Sequence, residues 1–241
     1  PYLTAAVDRF PQTTGFQPNE SLGGTAAAET LVVDATSSDS GSYSLNGGPS
    51  IAFASTASFD FAARGGSDLL QINYPPGGTF APSVGITYDG GGQSGDALSL
   101  VGVNADTVTS TFLADNASGH RGLLNVGGGS IVRYSGVRPV GIDGTISNMV
   151  INLASGDGDN QAILEDDADQ TNNTSQVRSG NDTFETTTFS NPATSLTINA
   201  GGDGETVTIA RPDPSLPGPV NVNAGAVACV HMQRVGGSGR L

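Results

Sequence analysis

With 241 residues, of which 36% are hydrophobic and 6% aromatic, the chain has few side chains with which to fill a wide globular core. A narrow core of aliphatic and small residues suits this composition better. The net charge of −14 would repel phosphate backbones and anionic lipid, so we expect neither nucleic-acid nor membrane-surface partners. A single cysteine excludes an intrachain disulfide, and because no apolar run approaches the ~18 residues that span a bilayer we expect no membrane insertion.

The N-terminal part of the chain changes from irregular to regular after the first 24 residues. The opening segment contains Pro11, Pro18 and a Gly-Gly pair without alternation of apolar and polar residues, which predicts a lead-in or cap. Strand signals then follow at residues 30–33, 43–45 and 51–53. The last two flank Asn46-Gly47, a turn dipeptide in which both residues tolerate positive φ, so a hairpin is the expected alternative to stacked strands there.

Four segments share one pattern, in which two short alternating stretches flank a corner of two or three glycines with an Asp or Glu at its exit. They are residues 59–72, 86–100, 150–164 and 195–210. Alternation is typical of a half-buried strand, because neighbouring side chains leave a pleated backbone on opposite faces. Each flank buries only one thin apolar stripe, which cannot offset the entropy of ordering its backbone. The recurrence therefore predicts that the units stack and merge their stripes into one core.

Between these units the pattern is less regular. Residues 74–82 contain several prolines and are predicted to protrude as a loop, since proline cannot serve an interior ladder. Residues 104–145 carry strand signals with loose spacing. Residues 165–180 form the longest polar interval and are predicted to be a solvated loop.

The expected fold is all-β, a right-handed parallel β-helix (β-solenoid) of about ten rungs and about 50 Å in length at ~4.8 Å per stacked strand. An antiparallel β-sandwich is the alternative, because glycine-rich corners between alternating flanks fit either topology. Low aromatic content and irregular spacing favour the β-helix. The expected division is an N-terminal cap, the β-helix and a C-terminal tail or linker, at residues 1–24, 25–227 and 228–241.

Four phrases of the sequence are low in complexity: SYSLNGG, PSIAFASTASFDFAARGGSDLLQINY, VGITYDGGGQSGDALSLVGV and SLTINAGGDGETVTIA. They resemble the repetitive β-helix domains of large secreted and cell-surface proteins of environmental bacteria, and distantly the Gly-Gly-x-Gly-x-Asp repeats of RTX type. The resemblance covers about residues 29–210. It implies a right-handed β-helix with a structural or adhesive role.

Acidic, glycine-rich corners also suggest calcium. Residues 91–98 and 201–205 are similar to the Gly-Gly-x-Gly-x-Asp-x-apolar-x nonapeptide of calcium-binding β-rolls. In those folds the six to eight oxygens around the ion come from successive stacked nonapeptides, whereas each match here stands alone. A solvated acidic loop is the alternative. The candidate ligands are Asp157, Asp159, Asp166 and Asp167, and no other cofactor is expected.

No pattern in the sequence predicts a catalytic residue. The chain has neither a Gly-x-Ser-x-Gly elbow nor a phosphate-binding loop with its lysine. His120 is predicted to lie in a Gly/Ser loop. Cys229 and His231, two residues apart, could pair as nucleophile and base, but a buried small cysteine and a surface histidine are expected instead. The tyrosines in or beside strands are predicted to be half-buried. We therefore predict that the protein is not an enzyme.

The expected function is a non-catalytic structural or adhesive module of a secreted or cell-surface bacterial protein, able to form fibres by end-to-end stacking. Expected partners are further copies, neighbouring domains of a longer chain, and surface polysaccharide. Because the sequence begins at Pro1 without Met, we expect a processed chain or a fragment. One alternative is a polysaccharide-acting lyase or hydrolase, which a groove with two carboxylates ~5 to 10 Å apart would favour. The other is a calcium-stabilised adhesin.

Overall fold

The chain is built from β-strands. A computed structural model describes residues 19–92, 95–154, 159–201, 204–224 and 229–232. These residues contain eighteen strands and no helix, which confirms the all-β class. Accordingly, the described part of the chain has no helix long and apolar enough to cross a membrane.

The strands follow one another with short connections. In chain order they are β1 (Asn19–Gly23), β2 (Thr30–Ala35), β3 (Gly41–Leu45), β4 (Ile51–Phe53), β5 (Ser58–Ala62), β6 (Leu69–Asn73), β7 (Gly85–Asp89), β8 (Ala97–Asn116), β9 (Gly119–Val126), β10 (Ser130–Ser135), β11 (Val140–Asn152), β12 (Gln161–Asp166), β13 (Thr174–Ser179), β14 (Thr187–Ser190), β15 (Ser195–Ala200), β16 (Thr206–Ile209), β17 (Val220–Ala224) and β18 (Cys229–Met232).

Alternation along the strands decides which side chains enter the core. In β15, Leu196, Ile198 and Ala200 are buried, whereas Thr197 and Asn199 between them are only partly covered. The same two-residue period recurs in most other strands. Each strand therefore supplies one thin apolar stripe, as its sequence predicts.

The four predicted units form strand, corner and strand, and they pair with one another. The flanks of the first unit, β5 and β6, pair in parallel with the flanks of the second, β7 and β8. The flanks of the third, β11 and β12, pair in parallel with those of the fourth, β15 and β16. The registers set like side chains over each other, for example Phe61 over Tyr88 and Ile151 over Ile198. The stripes of neighbouring units consequently merge.

A further copy of the unit lies at the N-terminal end, where the sequence predicts a cap. β1 pairs in parallel with β5, and β2 pairs in parallel with β6. Its corner contains Gly23-Gly24 and ends at Glu29, so it follows the rule of the other four. β1 thus extends the stack into the predicted cap, and β18 pairs with β16 inside the predicted tail.

Four parallel ladders run through the structure. One contains β1, β5, β7 and β10. A second contains β2, β6, the first parts of β8 and β11, and β14. A third contains the second parts of β8 and β11 with β15 and β17, and the fourth contains β12, β16 and β18. The longest ladder therefore has five strands, fewer than the ten rungs expected from chain length.

Antiparallel hairpins account for the smaller number of stacked strands, because the residues in a hairpin do not add a further strand to a parallel ladder. β2, β3 and β4 form one group, β8, β9 and β10 a second, and β12, β13 and β14 a third. The predicted turn at Asn46 and Gly47 connects β3 to β4, with φ of 51° and 68°. The described chain thus contains both parallel and antiparallel pairings.

The predicted solvated loop at residues 165–180 is wrong in its second half. Residues Thr174–Ser179 form β13, in which Ser175 and Val177 are fully buried. The segment pairs with β12 on one side and β14 on the other. Val177 is the only apolar residue of β13, so alternation along the sequence did not predict a strand there. Pairing with β12 and β14 holds the segment in its extended conformation.

Aromatic rings fill much of the core. Tyr43, Phe53, Phe59 and Phe80 form a cluster with ring centroids 5.6 to 6.3 Å apart. The tyrosines predicted to be half-buried are instead nearly inaccessible, since Tyr43 is 1% exposed and the others at most 6%. The aromatic residues within the described ranges are thus concentrated in the core.

The glycine-rich corners stack as closely as the strands do. Gly66, at φ 122°, lies so near the preceding corner that an added Cβ would be 2.5 Å from the carbonyl oxygen of Ala27. Gly91, at φ 89°, faces the carbonyl of Arg64 in the same way. Glycine is required at these positions both for its backbone conformation and for its lack of a side chain.

The acidic residue at the exit of each corner points into the stack. Glu29, Asp68 and Asp96 immediately precede β2, β6 and β8, and each is at most 2% exposed. Asp68 Oδ1 accepts the backbone N–H of Glu29 at 2.6 Å, and Asp96 Oδ1 accepts that of Asp68 at 2.8 Å. Each aspartate therefore satisfies a backbone donor of the adjacent corner. Asn160 and Glu205 take the same place before β12 and β16, where the amide donates to the carboxylate at 3.4 Å.

The buried carboxylates of Glu29, Asp68 and Asp96, which we call the carboxylate ladder, predict a larger free energy of unfolding in mildly acidic solution than at neutral pH. Burial, followed by the negative charges of Glu29 and Asp96, raises the pKa of Asp68 to about 6, and burial also raises the pKa of Asp96. An unfolded aspartate has a pKa of about 3.9. Because the folded state binds the proton more tightly, this contribution is complete below about pH 4 and is lost as the pH rises through about 6. Urea denaturation should give a larger free energy of unfolding at pH 5 than at pH 7.5.

Asp68→Asn identifies the group responsible. Asparagine keeps an oxygen that can accept the Glu29 N–H but cannot ionise, so the variant should lose part of the pH dependence. Asp106→Asn, on the exposed side of β8, serves as the control and should retain the full dependence. Equal dependence in the wild type and Asp68→Asn would show that the ladder is not its source.

Candidate functional site

A cavity of about 370 Å³ lies at the tip of the β8–β9 hairpin. Three further segments meet the hairpin there, namely the β7–β8 corner, the β10–β11 connection and the β13–β14 connection. Among the described residues that line it there is no Phe, Tyr or Trp. The lining consists of Gly92, Asp115, Ser118, Gly119, His120, Gly136, Val137, Arg138 and Asp182.

The β8–β9 turn positions the two central side chains, Asp115 and His120. Asn116 Oδ1 accepts the N–H of Ser118 at 2.9 Å, which closes a local turn, and Gly119 continues it at φ 98°. Buried positions alternate along β9, and His120 occupies the first of them. Its imidazole, 7% exposed, therefore forms the floor of the cavity rather than part of the outer surface.

Four side chains form a continuous hydrogen-bonded chain across the cavity. Asp115 Oδ1 lies 2.9 Å from His120 Nδ1, and Arg138 Nη2 contacts His120 Nε2. Arg138 Nη2 also lies 2.8 Å from Asp182 Oδ1, which is 3.6 Å from His120 Nε2. Because a guanidinium can only donate, Nε2 is the acceptor in its contact with Arg138. The order is carboxylate, imidazole, guanidinium and carboxylate.

This order argues against a serine nucleophile at the site. Ser118 lines the same cavity as Asp115 and His120, so the three residue types of a hydrolytic triad are present. In such a triad the Nε2 atom accepts the serine hydroxyl. Here Arg138 occupies Nε2, and no hydrogen bond joins Ser118 to His120 within the described structure.

A buried acid lies next to the cavity. Glu185 is fully buried and accepts a hydrogen bond from the Tyr134 hydroxyl. Burial raises the pKa of Glu185 well above its usual value, and the negative charge of Asp115 acts in the same direction. Phe184 beside it stacks on Phe112 with ring centroids 4.3 Å apart, which holds the loop against β8.

The exposed parts of the cavity suit a polar ligand that both donates and accepts hydrogen bonds. The side chains of Asp115, Arg138 and Asp182 are 44%, 52% and 75% exposed, so all three can reach a bound molecule. Two carboxylates stand on opposite sides of the imidazole. Sugar hydroxyls can donate to these carboxylates and accept from the guanidinium.

The prediction that His120 lies in a Gly/Ser loop is wrong, because His120 is the second residue of β9. One signal in the sequence could have corrected it, because His120 is in phase with Leu124 and Val126 on the buried side of β9. Its partners Arg138 and Asp182 come from distant connections and carry no common motif. The side chains of Cys229 and His231 lie outside the described residues, so the proposed pairing of these two has no structural test.

The predicted calcium ligands do not form one cluster. Asp157 lies outside the described residues. Asp159 sits before β12 with its carboxylate against Gly204, whereas Asp166 and Asp167 lie at the other end of that strand, about 20 Å away at ~3.3 Å per residue. No group of three metal-ligating side chains occurs in the described ranges.

The two aspartates at the end of β12 have protein partners of their own. Both carboxylate oxygens of Asp167 accept hydrogen bonds from the Asn172 amide, at 3.1 and 2.8 Å. Asp166 Oδ2 accepts the N–H of Ala168 at 3.1 Å. Desolvation and the charges of Asp167 and Asp213 raise the pKa of Asp166. Calcium binding at these residues stays a prediction.

In comparisons with known proteins, no protein-family model, no curated protein and no solved structure matches this chain.

Proposed function

We propose that this chain is a right-handed parallel β-helix that serves as a non-catalytic structural or adhesive module of a secreted or cell-surface bacterial protein. The observation that supports it is the parallel, in-register pairing of sequence-related units, in which both flanks of one unit pair with both flanks of another. Right-handedness follows the general preference of parallel crossover connections. Units that stack in this way build a rod whose length grows with each unit, which suits a spacer or adhesive.

The C-terminal end of the stack supports end-to-end assembly. Asn199 Nδ2 donates to Asn152 Oδ1 at 2.7 Å, and Asn223 Nδ2 donates to Asn199 Oδ1 at 2.7 Å. Within the described residues β17 pairs only with β15, so its other edge has no partner there. An asparagine ladder that ends on an unpaired strand edge can be continued by a strand of another copy or of a neighbouring domain.

Electron microscopy and sedimentation velocity test this proposal. We expect elongated particles that lengthen as the protein concentration rises. Asn223→Asp should weaken the lengthening, because it removes the amide donor and adds charge at the strand edge. Asn104→Asp makes the same change on the exposed side of β8 and should have no effect. Compact particles of one size at all concentrations would contradict the proposal.

The His120 cavity favours a second candidate function, a polysaccharide-acting lyase or hydrolase on the same scaffold. Its support is the pair of carboxylates, Asp115 and Asp182, on either side of an imidazole in an open cavity. Release of reducing ends or unsaturated products from neutral and acidic polysaccharides would establish it, provided that Asp115→Asn abolishes the release. If no polysaccharide yields such a product, the non-catalytic proposal stands.

The third candidate is a calcium-stabilised adhesin, and the support comes from Asp213 near Asp166. Asp213 is 2% exposed, and its Oδ1 accepts hydrogen bonds from Ser215 and Asn191 while its Oδ2 has no protein partner. A bound cation would lower the cost of burying these neighbouring negative charges. A chelator should then lower the melting temperature, and added calcium should restore it. An unchanged melting temperature would count against calcium.

A further inference from the structure

The outer face of the sheet formed by β7, β10, β9 and β8 carries a second cavity, of about 310 Å³. Alternation decides which side chains reach it. Leu124 and Tyr134 turn into the core, so Arg121, Leu123 and Arg133 turn outward. The antiparallel register of β9 and β10 sets Arg133 directly beside Leu123.

The neighbouring strand completes the surface. β8 pairs antiparallel with β9 and sets Leu113 beside Arg121. Leu113 is 39% exposed, which is high for a large apolar side chain in this protein. Two arginines and two leucines therefore line one groove, which we call the Arg/Leu groove: Leu113, Arg121, Leu123 and Arg133.

The two arginines lack acidic partners. Arg121 Nε donates to the carbonyl of Ala114, and Arg133 Nη1 donates to the carbonyl of Val84 at 3.4 Å. Among the described residues neither forms a salt bridge, and no acidic side chain lines the cavity. The whole chain has nine basic residues against 23 acidic ones. Two uncompensated guanidinium groups on one groove thus create a local positive potential on a strongly negative protein.

One carboxylate borders the groove. Asp89 on β7 accepts a hydrogen bond from the Ser135 hydroxyl at 3.0 Å, and Ser135 is in register with Arg121. Ser135 thus separates this acid from the arginine. The position of Asp89 would repel an anion that approached from the β7 side, so the anionic group of a ligand is directed to the two arginines.

We propose that the Arg/Leu groove binds an acidic saccharide, with a carboxylate or sulfate group on Arg121 and Arg133 and the sugar ring against Leu113 and Leu123. A guanidinium presents paired N–H donors that match a carboxylate or sulfate, and the C–H face of a sugar ring can pack on leucine. A polyphosphate chain fits less well, because it offers anionic oxygens to the arginines but no C–H ring face for Leu113 and Leu123. This inference rests on the adhesive part of the proposed function and names its ligand class.

Affinity electrophoresis at low ionic strength tests the inference with polygalacturonate, dextran sulfate, uncharged dextran and sodium polyphosphate in the gel. Polygalacturonate and dextran sulfate should each retard the wild-type protein, and uncharged dextran should not. Arg121→Gln and Arg133→Gln should each weaken the retardation at least tenfold, and added salt should abolish it. Retardation by only one of the two anionic saccharides would identify carboxylate or sulfate as the recognised group.

The matched control is Arg211→Gln, which removes the same charge from an exposed position elsewhere and should bind as the wild type does. Arg121 also donates to the Ala114 carbonyl, so Arg121→Gln removes a structural contact as well as a charge. Arg121→Lys keeps the charge with fewer donors and should show intermediate retardation. Equal loss in Arg211→Gln, retardation by polyphosphate alone, or retardation by neither anionic saccharide would overturn the inference. Elongated particles that bind no saccharide would leave the structural proposal intact, whereas compact particles that bind would overturn that proposal instead.

Discussion

Replacing Tyr88 with alanine is expected to lower the free energy of unfolding by about 3–5 kcal/mol, the range for deleting a large buried aromatic side chain. Tyr88 is fully buried, and its ring stacks on Phe61 with centroids 5.5 Å apart and planes 2° from parallel. Its hydroxyl donates to the carbonyl of Asp68 at 3.0 Å. Because β5, β7 and β10 are paired in register around it, the surrounding side chains cannot fill the cavity without moving these strands.

Urea denaturation measures this loss, and the same strand offers two controls. Thr87→Ala changes the exposed neighbour and should alter stability by no more than about 0.5 kcal/mol. Tyr88→Phe keeps the stacked ring and removes only the hydroxyl, so it should cost about 1 kcal/mol. If Tyr88→Ala were as mild as Thr87→Ala, the parallel ladder through β7 would not be part of the cooperative core.

Gly66→Ala is the second change with a large expected effect, a loss of about 2–4 kcal/mol, because it combines backbone strain with a clash. The residue has a φ of 122°, which side-chain-bearing residues rarely adopt. Its added Cβ would lie 2.5 Å from the carbonyl oxygen of Ala27 and 2.6 Å from the carbonyl carbon. Both atoms belong to the backbone of the adjacent corner, so no change of side-chain conformation can relieve the contact.

Gly129→Ala provides the comparison. Gly129 also lies in a glycine-rich turn, but an added Cβ would meet only the Cβ of Ala81, at an ordinary 3.9 Å. Thermal unfolding should therefore show a clear drop in melting temperature for Gly66→Ala and little change for Gly129→Ala. Similar melting temperatures for the two variants would mean that the corners are not closely stacked.

The strand-corner-strand units were predictable because their signals are local. Alternation in β15 and β16 depends only on which residues lie one and two positions apart, and glycine marks a corner through its own backbone freedom. The exit acids Asp68 and Asp96 were also visible as a rule of spacing. The hydrogen bonds that they accept could not be predicted, because each carboxylate binds a backbone N–H of a corner 28 to 39 residues away.

The hairpins and the two cavities could not be predicted from local patterns. β9 and β13 have the same period of two as the stacked strands, and only their neighbours make them antiparallel. The cavity at His120 needs Arg138 and Asp182 from connections 18 and more residues away, and no spacing rule joins them. The Arg/Leu groove likewise depends on register between three strands, which a single strand cannot encode.

The sequence by itself determined the all-β class, the position of most strands and the face that each one buries, because these follow from neighbouring side chains and from glycine at the corners. The tertiary structure alone decided which strands pair in parallel, how many layers the chain builds and which charged groups meet. Those features depend on contacts between residues distant along the chain, where burial, hydrogen bonding and charge are set by partners that the local pattern does not contain.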